Sequence, residues 1–530
     1  MSIFIVSIIP FLIFSYLKTR KSFHMLQQNL YNDDNRYLKW TFNNITKIIL
    51  DTDILFLILI CTIFLDSTVS AAIFVTLYLI IILLYLKKKT KFVAKKPLVV
   101  TARVKRLFTT ITILYLIAII PFVVCYDKNM LAYEYIILGL ITYLNNYVAL
   151  TANFINKPVE KMVYFYYRHK AVKKLKTMRI PVIGITGSYG KTSSKNILND
   201  ILNAKYNSFA TPKSFNTPYG LMNSINNYLS KFDDMFIAEM GAYKIGEIKQ
   251  CCDLVHPKYG IITVIGEAHL ELFGSRDNIM KGKFELVESL PSDGCAVLNM
   301  DDPYQVRYVK DYLKSKCKIL WIGIDNKEAD LYATNIKVTK SGTTFDCIFK
   351  GNSEKYSFRT RLLGTHNVYN ILAGIMLGYE LGLNINQLIR GVSEVKGTEH
   401  RLELKKYGKL TIIDDAYNSN PVGSKKALEV LNLMGGTKII VTPGMIELGE
   451  KQYELNKEFG KYISEVCDYV ILIGKKQTEP IYDGLKENKY DDKKIFILDD
   501  VREAFPLMNR LASGETFVLL ENDLPDLFNE

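Results

Sequence analysis

The chain has 530 residues, 49% hydrophobic and 12% aromatic, with 67 Lys and Arg against 54 Asp and Glu for a net charge of +13. Its length exceeds one ordinary domain, and its apolar content excludes a disordered chain, which lacks the surface needed to offset ordering entropy. Eight cysteines without a C-x-x-C pair indicate reduced thiols and argue against a structural zinc.

The charge is unevenly placed. Residues 1–180 hold 24 Lys and Arg and 8 Asp and Glu, net +16, whereas residues 181–530 hold 43 and 46, net −3. The basic part carries apolar runs at 2–17, 48–65, 69–86, 107–125 and 131–150. About 20 helical residues cross a hydrocarbon core, so residues 1–150 are expected to form four or five transmembrane helices, followed by a basic linker at 151–180. The cations Lys18, Arg20 and Lys21 follow the first run and no cleavage site appears, which favours a retained anchor over a signal peptide. The run 48–65 is the weakest because Asp51 and Asp53 interrupt it; with 69–86 it could instead form a hairpin turning at Asp66-Ser67. Lys87, Lys88, Lys89, Lys91, Lys95, Lys96, Arg103, Lys105 and Arg106 crowd one connection, while those at Asp66-Ser67 and Asp127-Lys128 are nearly uncharged. The positive-inside rule makes the crowded loop cytoplasmic and brings the chain after Leu150 out on the same side. Nucleic acid is not expected as a partner, because these cations flank apolar helices without interleaved stacking aromatics.

The soluble part opens on a phosphate loop. The β-branched run Ile180-Pro-Val-Ile-Gly-Ile-Thr186 predicts a strand, and Gly187-Ser188-Tyr-Gly190-Lys191-Thr192-Ser193 predicts a glycine turn opening a helix. Glycines let backbone N–H groups approach phosphates, Lys191 neutralises their oxygens, and the Thr192 hydroxyl suits Mg²⁺. The spacing G-x-x-G-K-T is shorter than the usual G-x-x-x-x-G-K-[ST].

Further motifs follow in order: Ile237-Ala-Glu-Met-Gly-Ala242, Gly266-Glu-Ala-His-Leu-Glu-Leu-Phe-Gly-Ser275, Lys283 with Glu285, Gly364-Thr-His-Asn-Val-Tyr-Asn370, Asp414-Asp-Ala-Tyr-Asn-Ser-Asn-Pro421 and Met445-Ile-Glu-Leu-Gly449. Together they resemble the Mur ligases, ATP-dependent amide-forming enzymes of bacterial cell-wall assembly, and most of all the branch that adds D-alanyl-D-alanine to a muramoyl tripeptide. The resemblance implies a parallel α/β P-loop domain at 181–397 and a C-terminal Rossmann-like α/β domain at 398–530, after the α-helical transmembrane region. It implies ATP and two Mg²⁺ ions, with Thr192, Glu239, His269 and a carbamylated Lys283 as metal ligands, Lys281 being a competing register. Gly187, Ser188, Gly190, Lys191, Thr192 and Ser193 would hold the phosphates, and His366, Asn367 and Asn370 would face the adenine. Read alone, those asparagines are also good helix caps. Arg401 would approach the γ-phosphate, though Glu399-His400 stands where the family has Pro-Gly; Asp415 and Tyr417 would contact the nucleotide; Asn216 and Thr217 would face the substrate. Lys191, His269, Lys283 and Arg401 would carry the catalysis.

The alternating pattern within 331–358 predicts a small β-hairpin insert, and strands are expected near Leu410, at 438–441 and at 469–473. Three features depart from the family. Membrane helices stand where a soluble domain would bind the uridine-nucleotide sugar, Thr217-Pro218 occupies the substrate loop, and the ending Leu519-Leu-Glu-Asn-Asp-Leu-Pro-Asp526 lacks a basic Lys-Gly-Ser motif. The expected protein is therefore a multi-pass bacterial membrane enzyme with cytoplasmic catalytic domains. It would join an amino acid or dipeptide to a carboxylate-bearing cell-envelope precursor, UDP-linked or lipid-linked. A poly-γ-glutamate or capsule ligase and a membrane-anchored P-loop ATPase remain as alternatives.

Overall fold

The apolar runs of the first third fold as helices. The computed structural model describes residues 2–29, 31, 34–89, 97–124, 130–339, 341–352, 354–417, 420–446 and 448–522. Lys91, Lys95, Lys96, Asp127, Lys128, Asn418, Ser419, Glu447 and the ending from residue 523, named above, lie outside them. The chain divides into two units between Phe165 and Tyr166.

In the first unit, helices Ser2–Gln28, Ser67–Lys89, Ala102–Val124 and Leu131–Tyr143 pack around Phe11, Phe14, Phe74, Tyr78, Tyr135 and Leu138. Among the described residues, two helical stretches are long and apolar enough to cross a membrane, Ser67–Lys88 and Ala102–Pro121. There are three if Leu131–Tyr143 and Asn145–Met178, bent by 76°, form one broken span. The expected span at 48–65 is instead the 3₁₀ helix Thr52–Phe64. Its 13 residues reach further than in an α-helix, about 26 Å at 2 Å per residue. The two carboxylates that interrupt this run have partners: Asp53 pairs with Lys18, and Asp51 lies 3.1 Å from Lys88 and 3.6 Å from Lys21. Arg106 holds Glu160 through two hydrogen bonds of 2.8 and 2.9 Å.

The second unit contains two sheets. The first is built from β1 (Val182–Thr186), β2 (Ser208–Ala210), β3 (Met235–Glu239), β4 (Tyr259–Ile262), β5 (Cys295–Asn299), β6 (Lys318–Gly323), β7 (Leu331–Thr339), β8 (Gly342–Phe349) and β9 (Tyr356–Thr360). Among the described residues their order is β2-β3-β1-β4-β5-β6-β7-β8-β9. The strands through β6 are parallel, and β1, β3 and β5 are buried along their whole length, as strands covered on both faces must be. The expected hairpin is present as β7 and β8 and is extended on both sides. β7, β8 and β9 form a three-stranded antiparallel meander, and β7 joins β6 through the pairs Ile322–Leu331 and Gly323–Tyr332, so the insert extends the sheet.

The second sheet contains β10 (Glu403–Tyr407), β11 (Leu410–Asp415), β12 (Thr437–Thr442), β13 (Tyr469–Ile473), β14 (Ile495–Leu498) and β15 (Thr516–Glu521), in the order β10-β11-β15-β12-β13-β14 among the described residues. Only β10 runs antiparallel. The connection between the sheets is tied to the helix Lys191–Leu202: Lys396 N–H donates to Asp200 Oδ2 at 2.9 Å and Asn196 Nδ2 to Thr398 Oγ1 at 3.2 Å.

Candidate nucleotide and metal site

β1 lies between β3 and β4, and the turn after it, 187–190, opens at the C-terminal ends of these parallel strands, where open α/β sheets place ligands. Gly187 has φ +146° and Gly190 φ +77°, which is glycine territory. A Cβ on Gly187 would stand 1.9 Å from Thr263 Oγ1. The turn is braced from the β4 side: Ser188 N–H donates to Val264 O at 2.8 Å, and Ser188 Oγ bonds Gly266 O and N at 3.1 and 2.9 Å. Ser188 thus scaffolds the loop with its hydroxyl. Gly187→Ala therefore strains the backbone and collides with Thr263. The expected result is a loss of about 1–3 kcal/mol in stability, read by thermal melting, together with weakened nucleotide binding.

Helix Lys191–Leu202 begins at the end of the turn, leaving its first N–H groups open to an anion. Lys191 Nζ folds back onto Gly187 O (2.8 Å) and Ser188 O (3.1 Å), and burial lowers its pKa to about 8 against the opposing pull of Glu239. Ser193 follows in the same first turn, partly exposed.

Glu239 ends β3 and is 1% exposed. Thr192 Oγ1 donates to its Oε1 at 3.1 Å, Asn216 Nδ2 reaches the same oxygen at 3.2 Å, and Lys195 Nζ stands 3.2 Å from Oε2. A buried carboxylate with a neighbouring Thr hydroxyl is a donor set that suits a hard cation, so Thr192 and Glu239 fit Mg²⁺. Thr217 caps the helix Pro218–Asn227 by accepting from Gly220 N–H at 3.2 Å, and of the two neighbours it is Asn216 that reaches Glu239.

His269 and Lys283 attach to the segment directly after Glu239. The His269 ring meets Tyr243 edge-on at 4.6 Å, and Lys283 Nζ donates to Ala242 O at 3.3 Å and lies 5.3 Å from the Phe273 ring centre. Lys283 is 2% exposed, whereas Lys281 faces solvent, so burial separates the two registers. Burial, and then the neighbouring Lys191 charge, bring the Lys283 amine down to about 7.

Asn370 stands over the phosphate turn, its Oδ1 3.3 Å from where a Gly190 Cβ would be. Asn367 Nδ2 donates to Leu363 O at 2.8 Å, and the cap of helix Thr365–Glu380 is Gly364, so neither asparagine is its N-cap. His366 turns toward the helix Pro421–Asn432. Burial lowers its pKa to about 4, with Lys426 and Glu429 the charges that it feels, and its Nδ1 has no hydrogen-bond partner among the described residues.

From the bend just before β10, Arg401 feels the charges of Asp415, Glu239 and Glu521, and its own charge acts on Lys191. Asp415 is fully buried and accepts Leu402 N–H at 3.0 Å; Glu521, its register neighbour on β15, accepts from Ser424 Oγ at 2.5 Å. Burial raises the Glu521 carboxyl well above the usual range, with Asp415 adding to the shift. Tyr417 is exposed and lies 4.5 Å from the His400 ring. His400, Glu403 and Asp414 also gather, but Lys405 Nζ already bridges the two carboxylates at 2.9 and 2.7 Å.

A Mur ligase middle domain matches residues 185–378, and the Mur ligase glutamate ligase domain matches residues 400–521. The chain belongs to the Mur ligase family. Among curated relatives, the UDP-N-acetylmuramoyl-tripeptide–D-alanyl-D-alanine ligase of Bacillus subtilis is 33% identical over 298 residues, covering 56% of this chain and 63% of the relative. That of Escherichia coli is 29% identical over 56% of this chain and 64% of its own. This Mur ligase thus spans less than two thirds of the length of these relatives. The MurF ligase of Thermotoga maritima, solved in complex with ADP, superposes with a TM-score of 0.60 at 27% identity, over 68% of this chain and 80% of its own. MurF from Acinetobacter baumannii gives 0.60 at 23% identity over 68% and 77%, a likeness of fold.

Sequence reading missed Lys195 and Glu521 in this Mur ligase. Lys195 carries a weak signal, a lysine one turn after Lys191 amid buried Ser194, Ile197 and Leu198. Glu521 has its signal in β15, an apolar run that ends on a carboxylate.

Proposed function

We propose that this Mur ligase uses ATP to form an amide bond between D-alanyl-D-alanine, or a similar short amine, and the carboxylate of a muramoyl peptide or related cell-envelope precursor. The observation that carries this reading is Glu239 Oε1, which receives Thr192 from the nucleotide loop and Asn216 from the acceptor loop at 3.1 and 3.2 Å. Ligation requires such a meeting, because the acceptor carboxylate must lie beside the transferred phosphoryl group. An acceptor oxygen attacks the γ-phosphorus and ADP leaves. The amine then attacks the acyl carbon, and phosphate departs as the nitrogen loses a proton. No protein nucleophile is needed.

In this scheme Lys191 and the turn N–H groups stabilise charge on the transferred phosphoryl oxygens, Arg401 adds a cation from the bend before β10, and Asn216 orients the acceptor. Asn370, Asn367, His366, Asp415 and Tyr417 are assigned to the nucleotide. Thr192 and Glu239, with His269 and a carbamylated Lys283, would hold Mg²⁺, which when bound neutralises phosphate charge. We assign residues 1–150 to a membrane anchor and the sheets to its cytoplasmic side, from the cationic connection after Ser67–Lys88 and its apolar neighbours. A lipid-linked precursor would then be at hand.

Full-length protein in detergent, given ATP, Mg²⁺, D-alanyl-D-alanine and either UDP-linked or lipid-linked muramoyl tripeptide, should release phosphate only when both acceptor and amine are present. Mass spectrometry should show the acceptor heavier by the dipeptide less one water. Phosphate release indifferent to every amine would reject the ligase reading in favour of an ATPase.

A further inference from the structure

The segment 211–217 that carries Asn216 is bound at several points to the end of β3 around Glu239. Thr211 Oγ1 accepts from Glu239 N–H at 3.2 Å, Thr211 N–H donates to Ile237 O at 3.0 Å, and Asn216 O accepts from Gly241 N–H at 2.7 Å. Between these ends, Lys213 has φ +48°, a left-handed conformation that a lysine adopts only at a cost, and its carbonyl accepts from Lys195 Nζ at 2.5 Å. The same ammonium stands 3.2 Å from Glu239 Oε2. Lys195 is 1% exposed and sits one helical turn beyond Lys191. A fully buried lysine loses a large hydration energy, so it persists only with strong partners, and here they are one backbone carbonyl and one carboxylate.

We propose that Lys195 is a positioning residue that couples the acceptor loop to the occupancy of the nucleotide and metal site, through its simultaneous hold on Glu239 Oε2 and Lys213 O. Thr192 and Asn216 share Glu239 Oε1, so a cation taken up by Glu239 and Thr192 competes for that oxygen and displaces Asn216. Lys195, on the other oxygen, keeps the carboxylate in place and transmits the adjustment to Lys213. The coupling is reciprocal: what binds at the phosphate turn alters the loop, and a filled loop alters affinity at the turn. The inference rests on the nucleotide-site part of the proposed function and not on which amine or acceptor is used.

The test is hydrogen–deuterium exchange on the full-length protein with and without Mg²⁺ and a non-hydrolysable ATP analogue, in wild type, Lys195→Met and Lys195→Arg. In wild type the analogue should change exchange in peptides covering 211–220. In Lys195→Met that response should disappear even at saturating analogue, with occupancy verified by protection of peptides covering 187–194, and Lys195→Arg, which retains donors for both partners, should restore part of it. An unchanged loop response in Lys195→Met would overturn the coupling. If Lys195→Met does not fold, as thermal melting would report, Lys195→Arg decides: a full loop response together with loss of Mg²⁺-dependent affinity would overturn the proposal. Wild-type protein that fails to bind the analogue would instead overturn the nucleotide-site reading beneath it.

Discussion

Lys191→Ala is expected to lower ATP turnover about 10³-fold while leaving the fold intact, the usual scale for removing one preorganised charge from a transition state. The side chain holds up little: among the described residues its ammonium donates hydrogen bonds to Gly187 O and Ser188 O, both in the loop it belongs to. Melting temperature should therefore move by only a few degrees, and circular dichroism should be unchanged. A pH profile adds an independent check. Burial brings Lys191 to about 8, so the cation that phosphate requires is present below pH 8 and is lost as pH rises through it. Nucleotide affinity in wild type should fall above pH 8, and this fall should be absent in Lys191→Ala. Turnover within tenfold of wild type would show that Arg401 or the turn N–H groups carry the phosphate without it.

The elements around the site were legible because local pattern and tertiary environment agree there. β1, β3 and β5 are short β-branched or apolar runs ending at turn residues, and a strand covered on both faces needs nothing else. The phosphate turn shows itself through Gly187 and Gly190, both at positive φ. Where neighbours distant in sequence decide, the pattern is silent. The alternation in 331–358 marks strands but not the two-residue pairing with β6 that attaches them to the sheet. A lysine on an amphipathic helix reads as solvated, and nothing local to Lys195 announces Glu239 and Lys213. Thr217, expected to face the substrate, also caps the helix that follows, a role that only the fold shows. Asp51 and Asp53 weaken a hydrophobic run on paper, yet Lys18, Lys21 and Lys88 reach them from other helices.

Lys283 gives the second large effect, and its direction follows from charge. As an ammonium it has, among the described residues, one hydrogen bond, to Ala242 O at 3.3 Å, is almost wholly buried, and is repelled by Lys191, with Glu247 and Glu285 compensating in part. These effects place its pKa near 7, so about half of the amine is neutral at pH 7 and most of it at pH 8. A neutral amine adds CO₂ at nitrogen and releases one proton, which turns a repelled cation into an anion that Lys191 attracts. Carbamylation should thus be favoured here over other lysines, increasing as pH rises through 7 and failing below pH 6. Turnover in CO₂-free buffer should drop at least tenfold at pH 7 and recover on adding bicarbonate, and ¹³C-bicarbonate should yield a carbamate resonance absent from Lys283→Ala. Lys283→Ala should lose turnover about 10²-fold or more whether or not bicarbonate is present. Wild-type turnover indifferent to CO₂, with no carbamate resonance, would leave Lys283 as a buried cation and Glu239 as the single anion among the proposed protein ligands.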